Sequence, residues 1–163
     1  MNRALSSSLL ALSVAFLYFS PAACQEYAGI LETTYTTLHY PNEKDLDEFL
    51  WKIGRVRLRP EGANSLAKAR VDRLVERVEE ILDMHPPDFR IDIFLKDGYR
   101  EGNIAYYSAD SKSITIYTEF VTDGVLAHEL AHAVMHAYFN ASIGRKAQEM
   151  LCRYVDAHLW KDY

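Results

Sequence analysis

The sequence predicts an α+β fold: a small mixed sheet with a backing helix, followed by two further helices. Three observations carry that expectation. Residues 89–96 alternate, with Phe89, Ile91, Ile93 and Leu95 on one face, as a half-buried strand requires. Residues 64–84 repeat apolar side chains at helical spacing among charged ones. The order of elements runs strand, helix, long helix, three strands and two helices, which suits one sheet layer backed by helix.

Taken in order, the chain opens on a targeting segment. Arg3 is the only charge before Glu26, residues 9–19 are apolar apart from Ser13, and Ser20, Pro21, Ala22 and Ala23 lead to Cys24. A basic start, a short apolar run and a small-residue exit form a secretory signal peptide over residues 1–24, and the run is shorter than the ~20 residues that span a bilayer. The mature chain is therefore expected to have no transmembrane helix and an extracytoplasmic location, secreted or periplasmic. Two ends are open: cleavage near Ala22 or Ala23, or a lipid anchor on Cys24, where Pro21 stands in place of the usual Leu. Cys24 could also pair with Cys152 in an oxidising compartment, although a small buried side chain on a helix is the preferred reading of Cys152.

Residues 33–40 are rich in Thr and Tyr and end at Pro41, which reads as a strand. Residues 44–53 place Leu46, Phe49, Leu50 and Ile53 at offsets 0, 3, 4 and 7, a short amphipathic helix closed by Gly54. Residues 56–58 read as a further short strand. The long helix at 64–84 is expected to turn Leu66, Val71, Leu74, Val75, Val78, Ile81 and Leu82 inward, and Pro86 and Pro87 stop it. Strands follow at 89–96, 103–108 and 113–119, the last two joined by a polar turn at 109–112. Thr122 or Asp123 caps a helix reaching Phe139, and residues 144–160 form the last one.

Length and composition suit a single domain over residues 25–163. The 163 residues are 49% hydrophobic and 25% charged, which is neither disordered nor fibrous composition. A net charge of -5 leaves no excess of cations for a phosphate backbone, so nucleic acid is excluded as a partner. Asn140, Ala141 and Ser142 match a glycosylation acceptor, which matters only in a host that glycosylates.

One motif carries chemistry. His128, Glu129, Leu130, Ala131 and His132 form His-Glu-x-x-His within the helix at 123–139. Residues four apart on a helix differ by about 40° in direction and ~6 Å in height, so both imidazoles reach one cation from the same face. Neutral imidazole binds zinc well, and Glu129 can lean toward a metal-bound water as its base. Val125, Leu126, Leu130, Ala133, Val134 and Ala137 surround the motif with apolar side chains, so an unpartnered Glu129 there would be costly. A catalytic zinc takes three protein ligands and one water. His136 lies two turns from His128, about 12 Å by rise, too far to share one ion. Asp156 and Glu149 sit on the last helix, which a short loop folds back onto the motif. Glu149 is the better third ligand.

The motif followed by Glu149 on the next helix resembles the gluzincin group of zinc metallopeptidases. The helix and strand order over residues 60–160 resembles the compact core of minigluzincins, giving a zincin-like domain with an active-site helix and a glutamate helix. A metzincin is excluded, since Met135 and Tyr138 stand where its Gly and third His belong. In gluzincins an Asp four residues after the ligand Glu often orients a histidine; here Arg153 occupies that place, leaving Asp156 or a backbone carbonyl for the role and a plain Glu149–Arg153 helix pair for Arg153.

The resemblance implies hydrolysis of a peptide or protein substrate by zinc-bound water with Glu129 as base. It further implies a Tyr or His at the oxyanion, with Tyr154, Tyr138, His136 and His158 as candidates. Substrate would lie as an added strand along residues 103–108, against Asn103, Ala105 and Tyr107, and Tyr106 and Tyr107 could line the cleft. The rival expectation from another class is an extracytoplasmic binding protein with a non-catalytic zinc site.

Overall fold

A mixed five-stranded sheet and four helices build the molecule, seen in a computed structural model that describes residues 27–58, 64–98, 102, 104–140 and 143–161. Residues 1–24, expected to be a targeting segment and ending at Cys24, the candidate Asn103, and residues 141 and 142 of the glycosylation pattern lie outside the described residues. The strands are β1 (Gly29–Glu32), β2 (Thr36–Tyr40), β3 (Ile91–Lys96), β4 (Ala105–Ser108) and β5 (Ser113–Tyr117). The helices are α1 (Glu43–Gly54), α2 (Ser65–Leu82), α3 (Asp123–Phe139) and α4 (Arg145–His158). No helix among the described residues is long and apolar enough to cross a membrane.

Spatial order in the sheet is β1-β2-β3-β5-β4. β2, β3 and β5 run parallel, while β1 and β4 each join antiparallel at an edge. Parallel neighbours need a crossover, and α1 with α2 supplies it between β2 and β3. After β3 the chain skips one position, makes β4 at the rim and returns as β5. Gly98 (φ 78°) and Gly102 (φ 82°) take the left-handed backbone that this detour uses. The edge position of β4 matters below.

Leu38, Ile93, Leu95, Ile114 and Ile116 are fully buried and join Val71, Val75 and Val78 of α2 and Leu126, Leu130 and Val134 of α3 in one core. Each such side chain contributes about 1.5–3 kcal/mol of transfer free energy. The helix ends are set locally. Asn42 accepts from the Asp45 N–H at 2.9 Å, and Thr122 Oγ1 accepts from the Val125 N–H at 3.2 Å, so α1 and α3 start where cap residues stand. Lys52 Nζ donates to the carbonyls of Thr118 and Glu119, both at 2.6 Å, anchoring the segment that feeds α3. Arg77 of α2 donates to the carbonyls of His158 and Leu159 at 3.3 and 3.5 Å and ties down the end of α4.

Four expectations change. The strand expected over residues 33–40 becomes a hairpin: β1 was not foreseen, and residues 33–35 are its turn, held by Thr33 and Thr36 and by Asp72, which accepts from the Thr34 and Tyr35 N–H groups. Residues 56–58 make no ladder; Asp47 captures them instead, accepting from the Leu58 N–H at 2.8 Å and from Arg57 at 2.6 Å. Leu66 is 65% exposed, because the buried stripe of α2 runs through Ala67, Val71, Leu74, Val75, Val78 and Leu82, and Leu66 lies about 140° from Val71 around the helix. The last strand stops at Tyr117, two residues short of expectation.

Candidate metal centre

α3 is apolar on nearly all sides because the sheet, α2 and α4 surround it. Its polar side chains His128, Glu129, His132 and His136 therefore gather along the one face that is open, between β4 and α4. α4 returns antiparallel and presents Glu149, Cys152 and Asp156 at offsets 0, 3 and 7, one stripe of the helix facing α3. The floor of the cleft is thus α3, and its walls are an edge strand and a returning helix.

Both imidazole Nε2 atoms converge on one carboxylate. His128 Nε2 lies 3.8 Å from Glu149 Oε2, and His132 Nε2 lies 3.9 Å from Glu149 Oε1. Two donors each about 2.1 Å from one ion at the tetrahedral angle are about 3.4 Å apart, so each imidazole stands only a few tenths of an ångström beyond that spacing from its own Glu149 oxygen. His128 Nδ1 stands 3.1 Å from Asp156 Oδ2. A carboxylate only accepts, so Nδ1 carries the proton and the lone pair stays on Nε2. His132 is held by a hydrogen bond to the Gln148 side chain, whose amide also donates to the Ile143 carbonyl at 3.0 Å.

Burial and then the neighbouring His128 depress the His132 pKa, which keeps that ring neutral and able to coordinate. Burial pushes the Glu129 carboxyl up, against the pull of the Tyr107 N–H and of His128. Tyr107 on β4 donates that N–H to Glu129 Oε2 at 2.7 Å, and its hydroxyl meets His136 Nδ1 at 2.6 Å. One strand residue thus touches two polar side chains of the helix.

The register explains why that N–H is available. Tyr117 donates to the Ile104 carbonyl, so residues 104, 106 and 108 bond inward to β5 while residues 105 and 107 point to the free edge. The N–H and C=O of Ala105 and the C=O of Tyr107 remain on that edge.

Cys152 is a further donor within reach. His128, His132 and Cys152 offer ligand atoms all within 4.8 Å of one another, a set that could hold a metal ion. Cys152 is free, fully buried, and pushed up to about 12 by burial and then by Glu149, Glu129 and Asp156. Its thiol must shed a proton against three carboxylates to bind a cation, whereas the Glu149 carboxyl oxygens stand directly before the two imidazole nitrogens. His128 and His132, with Cys152 or the Glu149 carboxylate as a third donor, offer nitrogen, sulfur and oxygen atoms of the kinds that hold a divalent transition metal.

Several expected residues lie elsewhere. Tyr154 is on the far face of α4, 49% exposed and stacked on His158 at 4.0 Å, because two residues on from Cys152 is about 200° around the helix. His158 bonds to the Tyr154 carbonyl, and Tyr138 is exposed beside Phe139. Glu149 makes no pair with Arg153, since it turns to the histidines. Gln148 and Cys152 are the residues that sequence reading missed as site members; their spacing from Glu149 on one helix face was the available signal. Scans of protein-family models, curated proteins and solved structures find no match to this chain.

Proposed function

We propose that the protein is a secreted or envelope-associated zinc-dependent peptidase of zincin-like, gluzincin type. The observation that carries this reading is the approach of His128 Nε2 to one Glu149 oxygen at 3.8 Å and of His132 Nε2 to the other at 3.9 Å, next to a Glu129 held by the edge strand. His128, His132 and Glu149 would hold the ion; when bound, zinc supplies a Lewis acid and an acidified water. Glu129, already raised by burial, takes a proton from the attacking water and returns it to the leaving amine. The Tyr107 N–H keeps that carboxylate aimed while it does so. The free edge at Ala105 and Tyr107 receives the substrate backbone as an added strand. His136 lines the cleft and is held by the Tyr107 hydroxyl at 2.6 Å, whereas Tyr154 is turned outward, which favours His136 over Tyr154 as donor to the oxyanion.

A second reading has its own observation. With Cys152 added, four protein donors would close the ion off from solvent and make the site structural, in an extracytoplasmic binding protein. The two readings separate in one set of measurements. The mature chain should bind one zinc per molecule and cut an unstructured peptide, losing activity to a chelator and regaining it with zinc. Glu129→Gln should keep the metal and lose cleavage. A cobalt-substituted protein with an intense thiolate-to-metal charge-transfer band, and no cleavage by the zinc form, would instead establish the closed site.

A further inference from the structure

The cleft differs at its two ends. Toward the N-terminal end of α3 it opens into a cavity of about 480 Å³ walled by Ile104, Val125, Leu159 and Trp160. Toward the C-terminal end it continues as a space of about 510 Å³ lined by Tyr106, His136, Arg145 and Gln148. Ala105, His128 and Glu129 line both, so the position they share lies between a largely apolar end, with Asp156 at its wall, and a polar end that carries Arg145 beside Glu129 and Glu149.

Arg145 is the side chain in the second half that is left without work. Arg145 and Glu149 are four apart on α4, a spacing at which opposite charges ordinarily pair. Glu149 faces His128 and His132 instead, and Glu129 is taken by the Tyr107 N–H. Arg145 is exposed and has no hydrogen bond or ion pair among the described residues.

We propose that Arg145 recognises a substrate carboxylate on its side of the scissile bond, an Asp or Glu side chain or a chain-terminal carboxyl group. The inference rests on the peptidase reading and adds a substrate class to it. A guanidinium presents two parallel N–H groups that match a carboxylate, and at the rim of a cleft no desolvation of a deeply buried charge opposes the pairing. The chain as a whole carries a charge of -5, so acidic peptides gain nothing from the long-range field. Among the described residues that line this end of the cleft, Arg145 is the one Lys or Arg that can supply such a preference.

The test uses internally quenched alanine-based peptides with Glu or Gln walked through the positions flanking the cut, each with a free or an amidated C-terminus. Cleavage is measured with zinc-loaded protein, and binding of the same peptides to zinc-loaded Glu129→Gln protein is read by fluorescence anisotropy. One position on one side of the cut should favour Glu over Gln by about fivefold in kcat/KM and in affinity. Arg145→Glu should reverse that order and favour Lys, with zinc content and melting temperature unchanged. A Glu preference seen with either terminus identifies a side-chain carboxylate as the group bound. A preference confined to free termini identifies the chain end. Equal handling of Glu and Gln, or a preference that survives Arg145→Glu, overturns the inference. An Arg145-dependent binding preference without cleavage of any peptide supports the recognition site and removes the peptidase reading alone.

Discussion

Glu79 at the end of α2 and Glu129 in α3 are both glutamates drawn out of water by a helix packed on the sheet, and burial is the leading cause that raises the carboxyl pKa of each. Their surroundings separate them. Glu79 is 7% exposed, with the His85 imidazole at 3.5 Å and Glu76 as a repelling neighbour. Glu129 instead accepts a backbone N–H from an unfilled sheet edge and stands beside two imidazoles that face a third carboxylate. Burial alone is therefore a poor marker of function. What distinguishes the second site is several polar groups converging on one open cleft.

Replacing each carboxyl by an amide breaks the comparison most sharply. Glu129→Gln is expected to lower kcat for peptide cleavage by about 10²–10⁴-fold with melting temperature nearly unchanged, while Glu79→Gln leaves cleavage intact. Equal losses in both variants would mean that Glu129 acts only through stability. Glu149→Ala tests the convergence itself. Zinc affinity in a competitive chelator titration should fall by more than the roughly 10–100-fold typical of losing an outer partner, whereas Cys152→Ser should leave it nearly unaltered. The reverse result would make Cys152 the third ligand. Asp156→Asn, which leaves an acceptor beside His128 but removes the charge, should cost about 10–100-fold in zinc affinity or activity.

The smallest effect belongs to Glu79 and is one of stability. Its folded-state pKa is raised, so the stabilisation it gives is complete below its unfolded pKa and is lost as pH rises through the folded one. Urea unfolding of Glu79→Gln against the parent should shift in favour of the variant as pH rises above about 4, the ordinary Glu range, and level off once the folded-state carboxyl has ionised. A difference that does not move with pH would show that Glu79 titrates alike in the folded and unfolded chain.

Neighbouring residues alone spelled out the helices and the ligand pair. Thr122 marks the start of α3, Pro86 and Pro87 bound α2, and the four-residue spacing of His128 and His132 aims both rings one way whatever the helix packs against. Periodicity also identified β3 and the α+β arrangement. It missed β1, which depends on a turn held by Asp72 from α2, and it misjudged Leu66, since one apolar residue at the rim of a stripe does not reveal the helix's rotation.

Contacts between distant segments were decided only by the folded chain. The strand order that leaves β4 on the rim, the reach of the Tyr107 N–H to Glu129 across 22 positions and that of Asp156 to His128 across 28 all depend on how a crossover closes and where α4 docks. Helix phase and caps arise from atoms a few residues apart, so the chain carries them in its order. Which carboxylate meets which imidazole is settled by burial of the whole core, because a helix face is chosen by the surfaces it can cover.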